Sequence, residues 1–200
     1  GAAPQEEPRE APRVRLAFMG SPEFAVQLLE SLVGAGMAPV LVVTPPARPA
    51  GRGQRRAETP VARAAALLEL PLHTTSDVNG RTSRDALAEA RPAVVITAGF
   101  GQKLGNGVLG LPPRGCLNVH ASLLPRYRGA SPVAAALRDG ATVTGVSLFV
   151  MDEEWDHGPV VAAQEVVHQP VQQCVVSARP VSQMHIGDAS QVHSPGFGDD

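Results

Sequence analysis

The sequence predicts an α/β fold: a Rossmann-like, mostly parallel sheet with helices on both faces and an antiparallel final strand. Strand-like apolar runs alternate with segments of helical period along most of the 200 residues. The strand-like runs are almost continuously apolar, as is typical of parallel strands that are covered on both faces. The last two runs have no room for a helix between them, so we expect that end of the sheet to be antiparallel.

The first strand and the first helix show the alternation most clearly. The run VRLAFMG (14–20) is apolar and ends in glycine. The next segment (21–36) begins with Ser21, which we expect to cap a helix, and with Pro22, which favours the first helical position. Residues spaced by four predict the apolar stripe of this helix, which comprises Phe24, Leu28 and Leu32.

The later elements follow the same alternation. Six further strands are predicted, at 38–44, 70–75, 93–101, 114–123, 144–152 and 158–168. Three further helices are predicted, at 58–70, 81–90 and 131–140. Thr59 and Pro60 mark the start of the first of these helices. In sheets of this kind, ligands bind beyond the carboxyl ends of the strands, so we expect the chemistry there.

The two ends of the chain do not share the pattern. Residues 1–13 are rich in Pro and Glu and predict a disordered leader. Residues 169–200 have no sustained period and predict a divergent, disordered tail. We therefore expect one catalytic domain at 14–168, since a chain of this length that is 44% hydrophobic suffices for one sizeable core.

Composition and charge exclude several classes of protein. The formal net charge is −2, so any contact with a nucleic acid must come from a local patch. No apolar run approaches the ~18 residues that a membrane span needs, and we expect no membrane partner. Cys116 lies in an apolar run and is interpreted as a buried thiol. The histidines of the tail are too widely spaced for a metal site, and no metal is predicted.

The segment TPPARPAGRGQRRAETPVAR (44–63) is the strongest charge feature. It carries five arginines against one acid, Glu58, on a loop that contains two glycines. Flexible guanidinium groups suit the successive phosphates of a nucleic-acid backbone. A solvated basic loop explains the same residues equally well, so both interpretations stay open at this point.

The stretches NVHASLLPRYRG and MDEEWDHG hold the candidate chemistry. Asn118 and His120 are two apart on one strand, so their side chains point to the same side. An amide N–H can stabilise a developing oxyanion, and a histidine can move a proton near neutral pH. Asp156, on the loop after the sixth strand, could reach His120. No G-x-S-x-G motif activates a serine, so this set suits direct acyl transfer between two bound substrates. A capping Asn, a surface His and a solvated acid are the alternative.

Four segments of the chain closely resemble the methionyl-tRNA formyltransferases over roughly residues 14–166. In the family's order they are RLAFMGSPEFAV, VVTPPARPAGRG, LNVHASLLPRYRGASPV and TGVSLFVMDEEWDHGPVVAAQ. The wider group of folate-dependent formyltransferases shares the core Asn-x-His, SLLP-x-x-x-G and Asp. The opening FMGSPEFA and the RPAGRG loop are what point to the branch that acts on tRNA.

The resemblance implies transfer of the formyl group of 10-formyltetrahydrofolate to the α-amine of initiator methionyl-tRNA, for translation initiation. It implies that Asn118 stabilises the oxyanion and that His120, held by Asp156, assists charge stabilisation and proton transfer. The implied folate-binding residues are Ser122, Leu123, Leu124, Pro125 and Gly129. The implied tRNA-binding residues are Arg48, Arg52, Arg55 and Arg56.

The chain also departs from the family pattern. Trp155 and His157 are unusual neighbours of Asp156, and the family's C-terminal β-barrel is not recognisable after about His168. Two alternatives therefore stay open: a folate-dependent formyltransferase or hydrolase that acts on a small amine, and a truncated, inactive fragment that at most binds folate or nucleic acid. We expect a monomer located in the bacterial cytoplasm, a plastid or a mitochondrion.

Overall fold

A computed structural model of the protein describes residues 14–50 and 55–167, and every structural statement below concerns these residues. They form nine strands and five helices. The strands are β1 Leu16–Gly20, β2 Leu41–Thr44, β3 Arg48–Ala50, β4 Arg55–Ala57, β5 Leu72–Thr74, β6 Val94–Ala98, β7 Cys116–His120, β8 Val143–Val150 and β9 Val160–Val167. The helices are α1 Glu23–Gly34, α2 Pro60–Leu67, α3 Arg81–Ala90, α4 Asn106–Leu109 and α5 Pro132–Arg138. The predicted leader and tail lie outside the described residues.

One sheet of seven strands organises the fold, in the order β5-β2-β1-β6-β7-β8-β9. The five strands from β5 to β7 pair parallel, whereas β8 pairs antiparallel with both β7 and β9. The predicted mostly parallel sheet and its antiparallel end are therefore confirmed. The strand that runs against the others is β8.

Both faces of the sheet are covered, as the continuous apolar strands predict. Met19 of β1 belongs to an apolar cluster on one face, which includes Leu87 of α3. Its neighbour Phe18 belongs to the cluster on the other face, which includes Leu29 of α1 and Val61 of α2. Adjacent residues of a strand point to opposite faces, so two separate cores flank one sheet.

The predicted apolar stripe of α1 is confirmed at Leu32, which is buried, and at Leu28, which packs against the core, and it is wrong at Phe24. The residues that α1 buries are spaced by four and then three: Ala25, Leu29 and Leu32. Phe24 is 42% exposed. The helix faces the sheet with the row that starts one residue later, which is a tertiary choice between two apolar rows of similar spacing.

The predicted cap of α1 is also wrong. The residue that precedes the helix is Pro22, and no side chain caps the helix. The hydroxyl of Ser21 donates instead to the carbonyl oxygen of Gly99, at 2.7 Å. Gly99 has a φ of +54°, and a Cβ there would meet the ring of Pro22. The first βα turn is thus fastened to the end of β6.

The start of α2 and the bounds of α3 agree with the capping and turn residues of the sequence. Thr59 caps α2, because its hydroxyl oxygen accepts a hydrogen bond from the amide of Ala62 at 3.0 Å. The bounds of α3 are those predicted. Two elements were not predicted: the short helix α4, and the antiparallel pair β3–β4 inside the basic segment.

Candidate active site

A cavity of about 680 Å³ lies beside β6 and β7. Its walls come from these strands, the loop after β6, the start of α5, the loop after β8 and the side chain of Phe24. Asn118, His120 and Asp156 all line it. The structure therefore brings the three predicted catalytic residues to one cavity, whose volume lies in the ~300–1,000 Å³ range of small-molecule sites.

Asn118 is held through the pairing of β6 with β7. The register of these parallel strands places Asn118 beside Thr97. The Thr97 hydroxyl donates to Oδ1 of Asn118 at 2.6 Å. The amide oxygen is thereby hydrogen-bonded within the sheet.

His120 ends β7 and is only 6% exposed. Its Nε2 lies 2.9 Å from the carbonyl oxygen of Tyr127, and its Nδ1 lies 3.6 Å from Oδ1 of Asp156. A carbonyl oxygen only accepts, so Nε2 carries the hydrogen and donates it. In the neutral imidazole, Nδ1 is then the basic nitrogen, and it faces a carboxylate.

Asp156 reaches His120 because its loop turns back along the sheet. Val150, the last residue of β8, pairs with Leu117, three residues before His120. The loop then returns, and the amide of Gly129 donates to Oδ2 of Asp156 at 2.8 Å. Asp156 has a φ of +49°, a conformation that non-glycine residues adopt rarely and that is concentrated at functional sites.

The loop after β7 is anchored to β8 by one buried serine. The hydroxyl of Ser147 donates to the carbonyl of Ser122 at 2.8 Å and accepts from the amide of Leu124 at 3.0 Å. The side chain of Leu123 lies against Gly145, where a Cβ would collide with it. These contacts give the loop a defined path over β8.

The residues implied to bind folate separate into two groups. Gly129 lines the cavity, whereas Ser122, Leu123, Leu124 and Pro125 are not among the residues that line it. Ser122 is fully buried, and its hydroxyl donates to the carbonyl of Arg126 at 2.6 Å. The observed contacts of these four residues shape the loop rather than the cavity wall.

The loop after β8 carries an acidic rim with its own ion pair. Nδ1 of His157 lies 2.8 Å from Oδ2 of Asp152, and Nε2 lies 4.0 Å from the carboxylate of Glu154. The hydrogen bond to Asp152 and the nearby carboxylates raise the pKa of His157. The same hydrogen bond, with one from the amide of Glu154, lowers the pKa of Asp152. Trp155, 58% exposed, lines the cavity at this rim.

The basic segment forms a hairpin instead of the predicted loop. Arg48 lies on β3, and Arg55 and Arg56 lie on β4. Arg48 and Arg56 are exposed, whereas Arg52 lies outside the described residues. None of the residues that the structure describes in this hairpin lines the cavity.

The described residues contain neither a metal-binding cluster nor a membrane-spanning helix. Over 14–50 and 55–167, no three His, Cys, Asp or Glu side chains are grouped so that they could hold a metal ion. Over the same ranges, no helix is both long enough and apolar enough to cross a membrane.

A formyl transferase domain model matches residues 14–174. The chain belongs to the formyl transferase family. Curated relatives named methionyl-tRNA formyltransferase, from Thermotoga maritima and Chloroflexus aurantiacus, are 43% and 46% identical to it over 157 residues. These matches cover 78% of this chain and 50% of each relative, so the chain spans about half the length of the curated relatives it matches. The resemblance to methionyl-tRNA formyltransferases is thus confirmed.

Solved structures confirm the fold of this family member. Phosphoribosylglycinamide formyltransferase from Bacillus halodurans aligns with a TM-score of 0.65 at 22% identity, over 80% of this chain and 83% of that chain. A sugar N-formyltransferase from a Shewanella species aligns with a TM-score of 0.53 at 17% identity, over 76% of this chain and 57% of that chain. At these identities the likeness concerns the fold alone.

Two residues that line the cavity, and one that contacts His120, are not predicted from the sequence as site residues. Thr97 lies in a run whose apolar pattern predicts only a buried strand, but its hydroxyl needs a hydrogen-bond partner when it is buried, and this need is the signal in the sequence. Phe24 was assigned to the core by its spacing. Tyr127 acts through its backbone carbonyl, and it has a φ of +57° that no sequence pattern announces.

Proposed function

We propose that this chain transfers a formyl group from 10-formyltetrahydrofolate to the α-amine of methionyl-tRNA, as a one-carbon group transferase. The observation that carries the proposal is the convergence of Asn118, His120 and Asp156 on one cavity. Membership of the formyl transferase family, and the names of its relatives, indicate that the group transferred is a formyl group. We keep the bacterial cytoplasm or an organelle as the predicted location and a monomer as the predicted state.

The cavity suits a folate in size and lining. It holds about 680 Å³, and its wall is mostly apolar with aromatic side chains at Phe24, Phe100 and Trp155. A flat ring system fits such walls, because aromatic surfaces bury large apolar areas against one another. When bound, the folate would supply an activated formyl carbon. Gly129 is the implied folate-binding residue that lines this cavity, and the residues from Ser122 to Pro125 would support it through the loop.

Asn118 and His120 would have different roles in the reaction: Asn118 would stabilise negative charge, and His120 would accept a proton. The formyl carbon gains a bond to the amine nitrogen and loses its bond to the donor nitrogen, and negative charge develops on the formyl oxygen, which the amide nitrogen of Asn118 can stabilise. The amine must lose one proton, and the leaving nitrogen must gain one. Nδ1 of His120 carries no hydrogen in the neutral ring, so it can accept the proton that the amine loses. Oδ1 of Asp156, 3.6 Å away, would stabilise the resulting positive charge.

We propose that the basic hairpin binds the tRNA. Arg48 and Arg56 are exposed on adjacent strands, and β3 and β4 hold the backbone in a defined geometry. Arginine forms two parallel hydrogen bonds to phosphate, which suits the acceptor arm of a tRNA. Arg52 and Arg55 belong to the same proposal by their place in the sequence.

The experiment is a formyl-transfer assay of the 200-residue chain with methionyl-tRNA and 10-formyltetrahydrofolate. We expect Asn118→Ala to lower kcat by roughly 10²- to 10³-fold, as removal of one oxyanion donor does elsewhere. Asn106→Ala, an exposed position outside the cavity, is the matched control and should stay within about twofold. Equal rates for the wild type and Asn118→Ala would contradict the proposal. Donor binding by calorimetry without any turnover would support the inactive-fragment alternative.

A second variant distinguishes tRNA from a small amine. We expect the double variant Arg48→Ala/Arg56→Ala to raise KM for methionyl-tRNA roughly tenfold. The salt dependence of binding should fall by about one for each phosphate that the variant no longer neutralises. Arg81→Ala/Arg84→Ala, which removes the same charge from α3, is the control. Unchanged KM, or the same effect from the control pair, would favour the small-amine alternative.

A further inference from the structure

We infer that Thr97 is a positioning residue, which orients the Asn118 amide so that its nitrogen, rather than its oxygen, faces the reacting formyl group. This inference rests on the proposed function only for its kinetic consequence. The orientation itself can be measured without turnover.

The contact is built into the sheet. The parallel pairing of β6 with β7 sets Thr97 and Asn118 side by side, and the Thr97 oxygen lies 2.6 Å from Oδ1. Thr97 is only 2% exposed, so little water competes for the hydroxyl. The sulfur of Met151 lies 3.4 Å from the same hydroxyl. A thioether is a weak acceptor, so the single hydroxyl hydrogen goes to the amide oxygen.

The surroundings of the Thr97 hydroxyl favour one of two orientations of Asn118. The hydroxyl could donate to the oxygen arm or accept from the nitrogen arm, but in the second case its own hydrogen would be left with only the Met151 sulfur as acceptor. A carboxamide has an oxygen arm and a nitrogen arm of nearly the same shape, and rotation by half a turn exchanges them. With Oδ1 on Thr97, the nitrogen arm is left for the cavity that Asn118 lines. The opposite orientation would present an oxygen to a developing negative charge, which repels it.

The composition of β6 supports a specific role for this hydroxyl. The strand reads VVITA, and its other members are apolar. A buried hydroxyl costs free energy unless it is hydrogen-bonded, and a valine of nearly the same shape would fill the position without that cost. The hydroxyl partners that the structure shows for Thr97 are Asn118 and Met151, both of which line the cavity.

The kinetic test compares Thr97→Val, which removes the hydroxyl, with Thr97→Ser, which keeps it. We expect Thr97→Val to lower kcat roughly tenfold, the worth of one hydrogen bond, with KM for 10-formyltetrahydrofolate within about twofold. Thr97→Ser should restore kcat to within about threefold. Thr44→Val is the matched control, because Thr44 is also buried in a strand and bonds to a side-chain oxygen, that of Thr59 at 2.7 Å.

The kinetic outcomes separate orientation from general damage. A kcat that is unchanged in Thr97→Val, lowered equally in Thr44→Val, or not restored in Thr97→Ser would overturn the inference. A loss confined to Thr97→Val and reversed by serine would support it. If the wild type transfers no formyl group to methionyl-tRNA, the proposed function fails for this chain, and the inference is decided by the next measurement.

That measurement is an NMR experiment on the folded, ligand-free chain with labelled asparagine. We expect weak nuclear Overhauser effects between the side-chain NH₂ of Asn118 and the side chain of Thr97, because Oδ1, and not the NH₂, contacts the Thr97 hydroxyl. In Thr97→Val, effects from this NH₂ to the side chain at position 97 should appear as the amide rotates. Strong effects already present in the wild type would overturn the inference, whatever the activity.

Discussion

The carbonyl oxygen of Tyr127 determines which nitrogen of His120 can take a proton. It accepts from Nε2 at 2.9 Å, and Nδ1 therefore remains basic beside Asp156. A protonated Nδ1 would form an ion pair with that carboxylate, whose Oδ1 lies 3.6 Å away. The predicted proximity of His120 and Asp156 is confirmed. The carbonyl oxygen of Tyr127 determines that Nε2 carries the hydrogen and that Nδ1 faces Asp156.

Trp155 makes cavity occupancy directly measurable, because it is the only tryptophan of the chain. We expect saturable quenching of its fluorescence by 5-formyltetrahydrofolate, a stable formyl-bearing folate, since the indole lies on the cavity wall. Trp155→Leu should weaken binding measured by calorimetry about 2- to 10-fold, the range of one aromatic contact. Calorimetric binding to the wild type with unchanged fluorescence would contradict this placement.

His157 should titrate above its usual value of 6.5, because Asp152 accepts its hydrogen bond. A raised folded-state pKa stabilises the fold below 6.5, and this stabilisation is lost as pH rises through the folded value. For Asp152, whose pKa is lowered, it is present above 3.8 and lost on acidification. The stabilisation that the two groups provide is therefore fully present between pH 3.8 and 6.5.

NMR titration of the His157 ring measures this pKa. Asp152→Asn should move it down toward 6.5, whereas Glu153→Gln, which removes the same charge next door, should change it less. The same pKa in the wild type and in Asp152→Asn would show that the ion pair does not form in solution.

At the scale of elements, β8 fixes the loop that precedes α5. Ser147 of β8 is fully buried and serves both Ser122 and Leu124. We expect Ser147→Ala to lower the free energy of unfolding by about 1–3 kcal/mol, because it leaves buried backbone groups without partners. Urea unfolding measures this loss. Ser31→Ala on the exposed side of α1 should stay within about 0.5 kcal/mol, and an equal effect of the two variants would refute the anchoring role.

The elements that were predicted well have strong local signals. Thr59 and Pro60 start α2 where their capping chemistry requires, and α3 lies between a glycine and the arginine–proline pair at 91–92. The misassigned position of Phe24 had no such signal, because two overlapping apolar rows of α1 share Leu32 and only contact with the sheet decides between Phe24 and Ala25. The β3–β4 hairpin was missed because its strands are short and polar, unlike the apolar runs that mark β1 and β2.

At the scale of the whole molecule, Cys116 reports on opening of the fold. Burial raises the pKa of its thiol to about 12 from 9.0. In a Cys174→Ser background at pH 8, we expect a thiol reagent to modify Cys116 much more slowly in the native chain than in urea, because the side chain is buried and its raised pKa leaves less of the reactive thiolate.

The same shift has a consequence for stability at alkaline pH. Above pH 9 the thiol of the unfolded chain ionises first, so the free energy of unfolding should fall as pH rises toward 12. In the modification experiment at pH 8, equally rapid reaction of Cys116 in the native chain and in urea would contradict its buried position in β7.

The sequence by itself determined the alternation of strands and helices, the antiparallel end of the sheet and the residue types of the site, because these depend on local period and spacing. Asn118 and His120 share a face of β7 for the same reason. Only the tertiary structure decided that Thr97 occupies the amide oxygen, that Tyr127 holds Nε2 of His120, and that the loop after β8 turns back to bring Asp156 close. These contacts join residues that are distant in the chain or depend on left-handed backbone conformations. Chain packing sets them, and residue order alone does not.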